Sequence, residues 1–553
     1  MKEDVAQKVG QAVAEAVAEA GLHESFDGSI EILLPKEERF GDFSTNVAMI
    51  LAARLKKNPR QIADAIVARL AADPLFTEAS VAGPGFINLR VAPAAWIARL
   101  GDLSRAGETW GRSAAGGGEK VMVEFVSANP TGPLHIGHGR GAAVGDAIAR
   151  ILSAAGYDVT AEYYINDVGL QMDNLGRSLL VRARELTGRP VEEEPTYKGD
   201  YLKETARAFL EEKGAELLDL PADELLPVAR DYAAISIMDG IKEDLADFRV
   251  RFDTWFSEAT LHAADEVERT IEAFQAAGRL YEHEGALWLK TADYGDEKDR
   301  VVRRGNGGPT TYLAADMAYH KNKFDRGFTT VVDIWGADHH GYIPRMKAVI
   351  GGLGHDPEAL KVLLVQIVNL KRGGELVAMS TRSGVFTTLR EIMDEVGVDA
   401  TRFFFLMRSS DSQLDFDVDL AKSQSDENPV YYVQYAHARC ANIFRKAAEE
   451  RVQPVPFDQI DPAFLDEEDA LRLIRKLASF PEQVVSAARH FAPWFITQYL
   501  METATLFHRF YKNHRVVTEN IPQSQARLAL VSAVRTTLAN GLGLLGITAP
   551  DRM

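Results

Sequence analysis

The sequence is nearly without cysteine and contains no long apolar run. Cys440 is the single cysteine among 553 residues, which excludes a disulfide framework within the chain and a zinc site built from several cysteines. No stretch approaches the roughly 18 to 20 apolar residues that a helix needs to cross a bilayer. The first residues form a polar, alanine-rich helical pattern that resembles neither a secretory signal nor a transit peptide. We therefore expect a cytoplasmic protein with no membrane partner.

An excess of positive charge is also lacking. The net charge is −18, which argues against a general nucleic-acid coat and against a DNA partner. From residue 421 to the end, 15 Lys and Arg stand against 14 Asp and Glu, a net of +1, and the remainder carries −19. An RNA partner must therefore be bound by local basic patches, and the C-terminal region repels a polyanion least.

Length and composition indicate several globular domains. We predict an N-terminal α/β module over residues 1–112, followed by a glycine-rich joint. Residues 119–395 alternate strands and helices as a doubly wound, Rossmann-like parallel sheet does, with a helical and acidic insertion over about 171–290. Residues 421–553 lack convincing strand runs and are predicted to form an all-α bundle. Other apolar runs predict strands at residues 30–34, 86–89, 286–290, 329–335 and 361–370.

The most informative stretch is residues 121–152, which predicts a buried strand, a glycine-containing loop and a helix. The loop ends in His135, Ile136, Gly137 and His138. Free N–H groups and the helix dipole attract phosphate at such a helix start. The two imidazoles can hydrogen-bond phosphate oxygens, and Gly137 has no side chain to keep a nucleotide away. The alternative is that both histidines merely cap the helix.

A second polar cluster follows the strand predicted at 329–335. Gly336 leads into Asp338, His339 and His340. Adjacent histidines point in different directions and no further ligand set has metal spacing, so we predict no protein-bound metal. Asp338 is better suited to accept a ribose hydroxyl, with His339 near the nucleotide. A capped helix start is the alternative.

Tyr312 and Asp316 are four residues apart, which places both on one face of a helix. A carboxylate beside an aromatic ring suits a guanidinium, because it offers bidentate hydrogen bonds together with stacking. The alternative is an ordinary helix surface. Further along, residues 373–384 form a loop that contains Met379, Ser380 and Arg382. This loop is either a plain connection or a flap that supplies charge to a triphosphate.

Taken together, these segments resemble the arginyl-tRNA synthetase family of class I aminoacyl-tRNA synthetases. The resemblance runs from Phe40 to Met553 and is most specific at residues 164–171, 295–302, 336–347 and 428–439. It implies ATP- and Mg²⁺-dependent activation of L-arginine, followed by transfer to the terminal adenosine of its tRNA. It also implies that activation needs bound tRNA and that the protein is a monomer.

The resemblance assigns roles to named residues. His135, His138, Ser380 and Arg382 would act in catalysis. The residues expected to bind ATP are His135, Gly137, His138, Gly336, Asp338, His339, Met379 and Ser380. The residues expected to bind arginine are Glu124, Ser127, Asn129, His138, Tyr312 and Asp316. Residues 1–112 would grip the outer corner of the tRNA, and the C-terminal region would bind the anticodon loop through Tyr431, Tyr435, Arg439, Tyr511 and Arg515.

One departure from the family pattern concerns its Lys-Met-Ser-Lys motif. The chain has Ala378-Met379-Ser380-Thr381 there, so both lysines are absent. Arg382, Lys371 or Arg372 could supply the missing charge. The departure also supports an alternative function, a catalytically weakened paralogue that binds tRNA without activating arginine. Synthetases with cysteine-bound zinc or a large editing insertion are excluded, because the chain has neither feature.

Overall fold

A computed structural model describes residues 1–19, 30–35, 37–191, 193–377 and 386–553. No helix in these ranges is long and apolar enough to cross a membrane. The N-terminal module packs four helices against a three-stranded antiparallel sheet of order β1-β3-β2. Its elements are α1 (Lys2–Glu19), β1 (Phe43–Thr45), α2 (Val47–Leu55), α3 (Pro59–Leu70), β2 (Phe76–Ala82), β3 (Phe86–Val91) and α4 (Pro93–Ala106).

The strand predicted at residues 30–34 is wrong in extent. Leu33 forms one isolated bridge with Ser44. A strand needs several consecutive backbone pairs with a neighbouring strand. The neighbour of residues 30–34 is β1, which is only three residues long and therefore cannot pair with all five of them. Ile32 is buried, whereas Leu34 is 76% exposed.

The central region contains most of the remaining strands. Its first half consists of β4 (Lys120–Glu124), α5 (Ile136–Ala154), β5 (Asp158–Ile165), α6 (Leu170–Thr187), α7 (Tyr201–Lys213), α8 (Ala222–Asp247), β6 (Thr254–Ser257), α9 (Glu258–Ala263) and α10 (Glu266–Ala276). Its second half consists of β7 (Leu280–His283), β8 (Ala286–Leu289), β9 (Arg300–Arg303), α11 (Tyr312–Asp325), β10 (Thr330–Gly336), α12 (Ile343–Gly352), β11 (Leu360–Val365), β12 (Val368–Arg372), β13 (Glu375–Leu376), α13 (Leu389–Val396), α14 (Val398–Leu406), β14 (Leu414–Asp417) and α15 (Val418–Lys422).

The predicted doubly wound parallel sheet is confirmed. Five parallel strands stand in the order β11-β10-β4-β5-β6. The chain winds from β4 outward through β5 and β6, and then returns to the other side of β4 with β10 and β11. The switch point lies between β4 and β10, where Glu124 is the register partner of Asp333. Ligands of such sheets bind at the carboxyl ends of the strands beside this point.

Two predicted strands belong to other sheets. Residues 286–289 pair in an antiparallel sheet of order β7-β8-β9, because Glu284 and Gly285 both take positive φ angles and close a tight hairpin. The run 361–370 divides into β11 and β12, and β12 joins the sheet β13-β12-β14. The segment predicted as an insertion, 171–290, includes β6, which pairs with β5 in the parallel sheet.

The C-terminal region is helical, as predicted. It consists of α16 (Pro429–Glu449), α17 (Glu468–Ala478), α18 (Phe480–Arg489), α19 (Trp494–Asn513) and α20 (Ile521–Leu544). Its junction with the central region is buried around Arg402 of α14. That guanidinium bonds to Asp146 of α5 and donates to the carbonyls of Phe248 and Leu545 at 2.9 and 2.8 Å.

Candidate active site

A cavity of about 460 Å³ opens at the carboxyl ends of the central strands. Residues that follow β4, β5 and β10 line it together with the first turns of α11. Seven of the predicted site residues are brought together here: Glu124, Ser127, Asn129, Tyr312, Asp316, Gly336 and His339. The cavity therefore joins three sequence segments that were interpreted separately: the stretch after β4, the pair on α11 and the polar cluster after β10.

One part of the cavity is acidic. Asp316 accepts a hydrogen bond from the Tyr342 hydroxyl, and Glu258 lies 3.5 Å from His262 Nε2. Burial raises the pKa of both carboxyls, and their mutual repulsion raises that of Glu258 further. Tyr312, on the same face of α11 as Asp316, is 66% exposed. A cation bound between the two carboxylates would relieve the cost of burying their charges.

The other part of the cavity adjoins the loop after β4. Ser127 donates to Glu124 Oε1 at 2.9 Å and accepts from the Tyr164 amide at 3.1 Å. Val126 and Ser127 have φ angles of 68° and 38°, which is strained backbone for a β-branched residue. This strained turn aims the Ser127 hydroxyl at the end of the strand. Asn166, which also lines the cavity, has a buried Oδ1 with no hydrogen-bond partner among the described residues, so this oxygen could accept from a ligand donor.

The two histidines that follow this loop do cap α5, and each does so through its Nδ1 atom. His135 Nδ1 accepts from the amides of Gly137 and His138 at 3.1 and 3.3 Å, and His138 Nδ1 accepts from the His135 amide at 3.3 Å. The rings stack with centroids 3.6 Å apart. Burial lowers the pKa of His135 and lowers that of His138 to about 3. Both rings are therefore neutral donors with their proton on Nε2.

Comparisons with known proteins agree along the whole chain. Residues 4–91 match the description "Arginyl tRNA synthetase N terminal domain", residues 106–412 match "tRNA synthetases class I (R), catalytic domain", and residues 433–553 match "DALR anticodon binding domain". The arginine–tRNA ligase of Syntrophotalea carbinolica is 54% identical over 100% of both chains. The chain belongs to the arginyl-tRNA synthetase family.

A second relative supports this result, and a solved structure shows the same fold. The arginine–tRNA ligase of Geobacter sp. (strain M21) is 54% identical over 95% of both chains. The arginyl-tRNA synthetase of Thermus thermophilus has the same fold, with a TM-score of 0.75 at 24% identity over 99% of this chain and 100% of that one. The catalytic region is thus that of a class I synthetase, which uses ATP. None of these comparisons supports the non-catalytic paralogue.

Several predicted nucleotide-binding residues lie outside the cavity or outside the described residues. His135, Gly137 and His138 stand at the start of α5, and none of them lines the cavity. The Asp338 side chain is 82% exposed and lies 3.6 Å from His339. Met379, Ser380 and Arg382 lie outside the described residues. In the part of the chain that the structure describes, no group of three His, Cys, Asp or Glu side chains could hold a metal ion.

Lys371 and Arg372, the described cationic side chains just before the segment that corresponds to the Lys-Met-Ser-Lys motif, each form an ion pair with a carboxylate. Lys371 Nζ lies 2.6 Å from Asp415. Arg372 forms a two-pronged pair with Glu395 at 2.8 and 2.6 Å. Both side chains are therefore held by neighbouring carboxylates, on β14 and α13 respectively.

Four of the five residues predicted to bind tRNA lie together on α16 and α19. The Arg439 guanidinium donates to the Tyr435 hydroxyl at 2.7 Å and lies 4.5 and 5.2 Å from the rings of Tyr435 and Tyr511. Tyr431 stacks on Tyr435. Arg515 is exposed beyond the end of α19 and has no part in these ring contacts. We call this cluster the aromatic patch, which also includes two residues that the sequence did not reveal: Tyr432 and His508.

The sequence also missed Glu258 and Lys323. Glu258 is the first residue after β6, so it follows the carboxyl end of a sheet strand. That strand was hidden in the predicted insertion, and recognising it would have identified Glu258. Lys323 is two turns beyond Asp316 on α11 and is completely buried. No sequence signal separates it from Lys321, the other lysine of the same helix, whose side chain is 37% exposed.

Proposed function

We propose that the chain activates L-arginine with ATP to form arginyl-adenylate, and then transfers the arginyl group to the 3′-terminal adenosine of its tRNA. The observation that carries this proposal is the cavity, which has two different ends. One end contains the carboxylates of Asp316 and Glu258, and the other adjoins the loop between β4 and α5 that leads to His135 and His138. Arginine has a matching asymmetry, with a guanidinium at one end and the reacting carboxylate at the other.

The guanidinium of arginine is proposed to bind to Asp316, Glu258 and Tyr312. A planar guanidinium offers five N–H donors in a fixed fork, so it can bond to two carboxylates at once. A lysine ammonium or a neutral side chain would leave at least one buried carboxylate unpaired. Sites whose buried polar groups lose their partners discriminate by about 10⁴ to 10⁵. On this argument no editing site is needed.

Activation is proposed to proceed by in-line attack of the arginine carboxylate on the α-phosphorus of ATP. Negative charge then develops on the non-bridging oxygens and on the leaving pyrophosphate. His135 and His138 donate through Nε2, and the N-terminus of α5 adds its free amides. Mg²⁺, bound mainly by the phosphates, would neutralise part of the charge. Ser127, Asn129 and His138 hold the amino and carboxyl groups of arginine, and Glu124 is a second carboxylate for the substrate. Gly336, Asp338 and His339 face the nucleotide.

Arg382 is proposed to supply the positive charge that the lysines of the family's Lys-Met-Ser-Lys motif usually provide. Met379 and Ser380 are proposed to lie beside the nucleotide. The role of Arg382 lies in the transition state, so Arg382→Ala should lower kcat for activation far more than it raises the KM for arginine. The test is steady-state pyrophosphate exchange at varied arginine. An unchanged kcat would remove Arg382 from the chemistry.

The aromatic patch on α16 and α19 is proposed to bind the anticodon loop. Residues 1–112 are proposed to bind the outer corner of the L-shaped tRNA. Exposed bases of RNA loops stack on aromatic and guanidinium planes, and Tyr431, Tyr435, Arg439 and Tyr511 offer both. Arg515 is retained as a phosphate contact. Monomeric state and cytoplasmic location stay predictions.

The deciding experiment is arginine-dependent ATP–pyrophosphate exchange with the purified protein, run with and without its tRNA for arginine. Exchange only in the presence of tRNA is the expected result. Exchange without tRNA would disprove the tRNA requirement alone. No exchange in either condition, with tRNA binding intact, would favour the catalytically weakened paralogue.

A further inference from the structure

The segment that follows β5 contains a polar side chain that the proposed reaction does not use. Asn166 is the first residue after that strand, and it lines the cavity. Its Oδ1 atom is buried and has no hydrogen-bond partner among the described residues. Leaving a buried acceptor unpaired costs free energy comparable to a lost hydrogen bond. An unpaired acceptor in the wall of a ligand cavity therefore indicates a donor on the ligand.

Asn166 stands on the acidic side of the cavity, beside Glu258. The register pairing of β5 with β6 ends immediately before these two residues, so they leave adjacent parallel strands at the same level. The next residue, Asp167, connects the two segments. It accepts from the Ser257 hydroxyl at 2.5 Å and from the Ala259 amide at 3.0 Å. Because these bonds lie on both sides of Glu258, they fix Glu258 relative to Asn166.

The ligand donor that suits this position is the last free N–H group of a bound guanidinium. A guanidinium has five N–H donors in one plane. A carboxylate that bonds bidentately takes two of them, so Asp316 and Glu258 together take four. One carboxylate spans the two terminal nitrogens and the other spans Nε and a terminal nitrogen, which leaves one N–H on a terminal nitrogen. An arginine bound by both carboxylates therefore still needs one acceptor.

A neutral acceptor suits this place better than a third carboxylate. Burial raises the pKa of both Asp316 and Glu258, and repulsion from Asp316 raises that of Glu258 further. One guanidinium charge cannot balance three carboxylates, so a third would take up a proton. The amide oxygen of Asn166 accepts a hydrogen bond without adding charge, and it has the capacity for two donors.

We propose that Asn166 is a specificity residue of the amino-acid site: its amide oxygen accepts the guanidinium N–H that Asp316 and Glu258 leave free. This role rests on the proposed function and deepens it, because it separates arginine from arginine that is methylated on a terminal nitrogen. Methylation replaces one terminal N–H by a methyl group. The methyl group should take the position that faces Asn166, since losing a bond to a neutral amide costs less than losing one to a carboxylate.

The first test compares Asn166→Ala with Asn322→Ala. Asn322 lies on α11 and also has a buried Oδ1 without a partner among the described residues, but it does not line the cavity. Its loss should leave the KM for arginine within about twofold of wild type. Asn166→Ala removes a hydrogen bond to a charged group and should raise the KM for arginine about tenfold or more, with the KM for ATP unchanged. Pyrophosphate exchange with saturating tRNA measures both constants.

Discrimination against methylated arginine separates recognition from structural damage. Inhibition of tRNA charging with labelled arginine gives the Ki of Nω-monomethyl-L-arginine, and the ratio of this Ki to the KM for arginine measures selectivity. Asn166→Ala removes the acceptor and opens space for the methyl group, so the ratio should fall at least about fivefold. Distortion of the whole cavity would weaken both ligands alike and leave the ratio unchanged. Asn322→Ala should keep the wild-type ratio.

A second probe identifies the end of arginine that Asn166 contacts. δ-Guanidinovalerate is arginine without its α-amino group, so it keeps the guanidinium and the carboxylate. Asn166→Ala should raise the Ki of this compound by the same factor as the KM for arginine. An unchanged Ki would mean that Asn166 binds the α-ammonium instead, and would overturn the assignment to the guanidinium.

The outcomes are distinct. If wild type shows no arginine-dependent exchange with tRNA, the proposed function fails. If wild type is active and Asn166→Ala matches Asn322→Ala in KM and in selectivity, the role assigned to Asn166 is wrong. Equal increases in the KM values for arginine and ATP would also overturn it. If Asn166→Ala does not fold, Asn166→Leu decides: leucine has a similar size but no acceptor, so an unchanged KM for arginine would contradict the hydrogen bond.

Discussion

The histidines at the start of α5 show how one residue serves both structure and chemistry. Each Nδ1 is occupied by a backbone amide, so the sequence alternative of a helix cap is correct at that nitrogen. The same bonds fix the tautomer and direct the proton to Nε2. A neutral donor needs no titration to work, and it remains a donor when charge appears on a phosphate oxygen.

This arrangement predicts a pH-independent contribution. Burial lowers the pKa of His138 to about 3, so the ring is neutral throughout the usual assay range. We expect His138→Ala to lower kcat of pyrophosphate exchange about 10²- to 10³-fold. The ratio of wild-type to variant kcat should be constant from about pH 6 to 8. A ratio that changes around the ordinary imidazole pKa, near 6.5, would show that the charged form acts.

A second prediction concerns the acidic part of the cavity. Asp316→Asn and Glu258→Gln each keep the shape but remove one charge that the guanidinium would pair with. Each should lower kcat/KM for arginine by about 30-fold or more, chiefly through KM, because losing one partner of a buried charged pair costs about 2 to 5 kcal/mol. Kinetics at varied arginine measure the effect.

The matched control is Asp325→Asn, on the same helix as Asp316. Asp325 is 58% exposed and pairs only with Lys321 among the ion pairs of the described residues. Its replacement should leave kcat/KM within about twofold of wild type. Equal effects of Asp316→Asn and Asp325→Asn would remove the carboxylate from guanidinium recognition.

At the residue scale, the sequence was most informative where residues lie close along the chain. The spacing of Tyr312 and Asp316 predicts a shared helix face, and both line the cavity. Glu258 and Lys323 could not be found this way. Their interactions with Asp316 and with Glu124 span 58 and 199 positions, which no local pattern encodes.

At the scale of elements, helices were predicted better than strands for a physical reason. A helix closes its hydrogen bonds within its own segment, so α16, α17 and α19, each with one apolar face, follow from apolar periodicity. A strand is defined by its partner. The run at 286–289 has the composition of a strand, but a tight turn pairs it with β7 instead of the parallel sheet, and β6 is only four residues long.

Helix α14 joins the central sheet to the C-terminal bundle, and Arg402 is its central contact. The guanidinium is completely buried and reaches α5, the end of α8 and the end of α20. A Cβ at Gly546 would lie 2.4 Å from it, so the chain after α20 is shaped around this side chain.

Arg402→Met should therefore destabilise the protein by about 3 kcal/mol or more, since it leaves two carbonyls and a carboxylate short of a buried donor. The midpoint of thermal unfolding is expected to fall by several degrees. Arg408→Met is the matched control, because Arg408 follows the same helix and is exposed. Midpoints that agree for the two variants would contradict a central role for Arg402.

At the scale of the whole molecule, α16 connects the aromatic patch with the catalytic region. Gln434 donates to Asp399 Oδ2 at 2.8 Å and to the carbonyl of Thr548 at 2.9 Å. The next residue, Tyr435, lies in the patch. Asp399 in turn bonds to Arg249 at the end of α8. A tRNA bound at the patch thus touches a helix that is tied directly to the sheet region.

This connection makes the last prediction specific. Tyr435→Ala removes a stacking ring worth about 1 to 3 kcal/mol per base, so the tRNA concentration that gives half-maximal pyrophosphate exchange should rise about 5- to 150-fold. Tyr435→Phe keeps the ring and loses only the hydroxyl that Arg439 contacts, so its effect should be much smaller. With saturating tRNA, both variants should regain the wild-type KM for arginine, because the change weakens tRNA binding and leaves the cavity intact. A loss of exchange that no tRNA concentration restores would mean that the patch also transmits the tRNA signal to the active site.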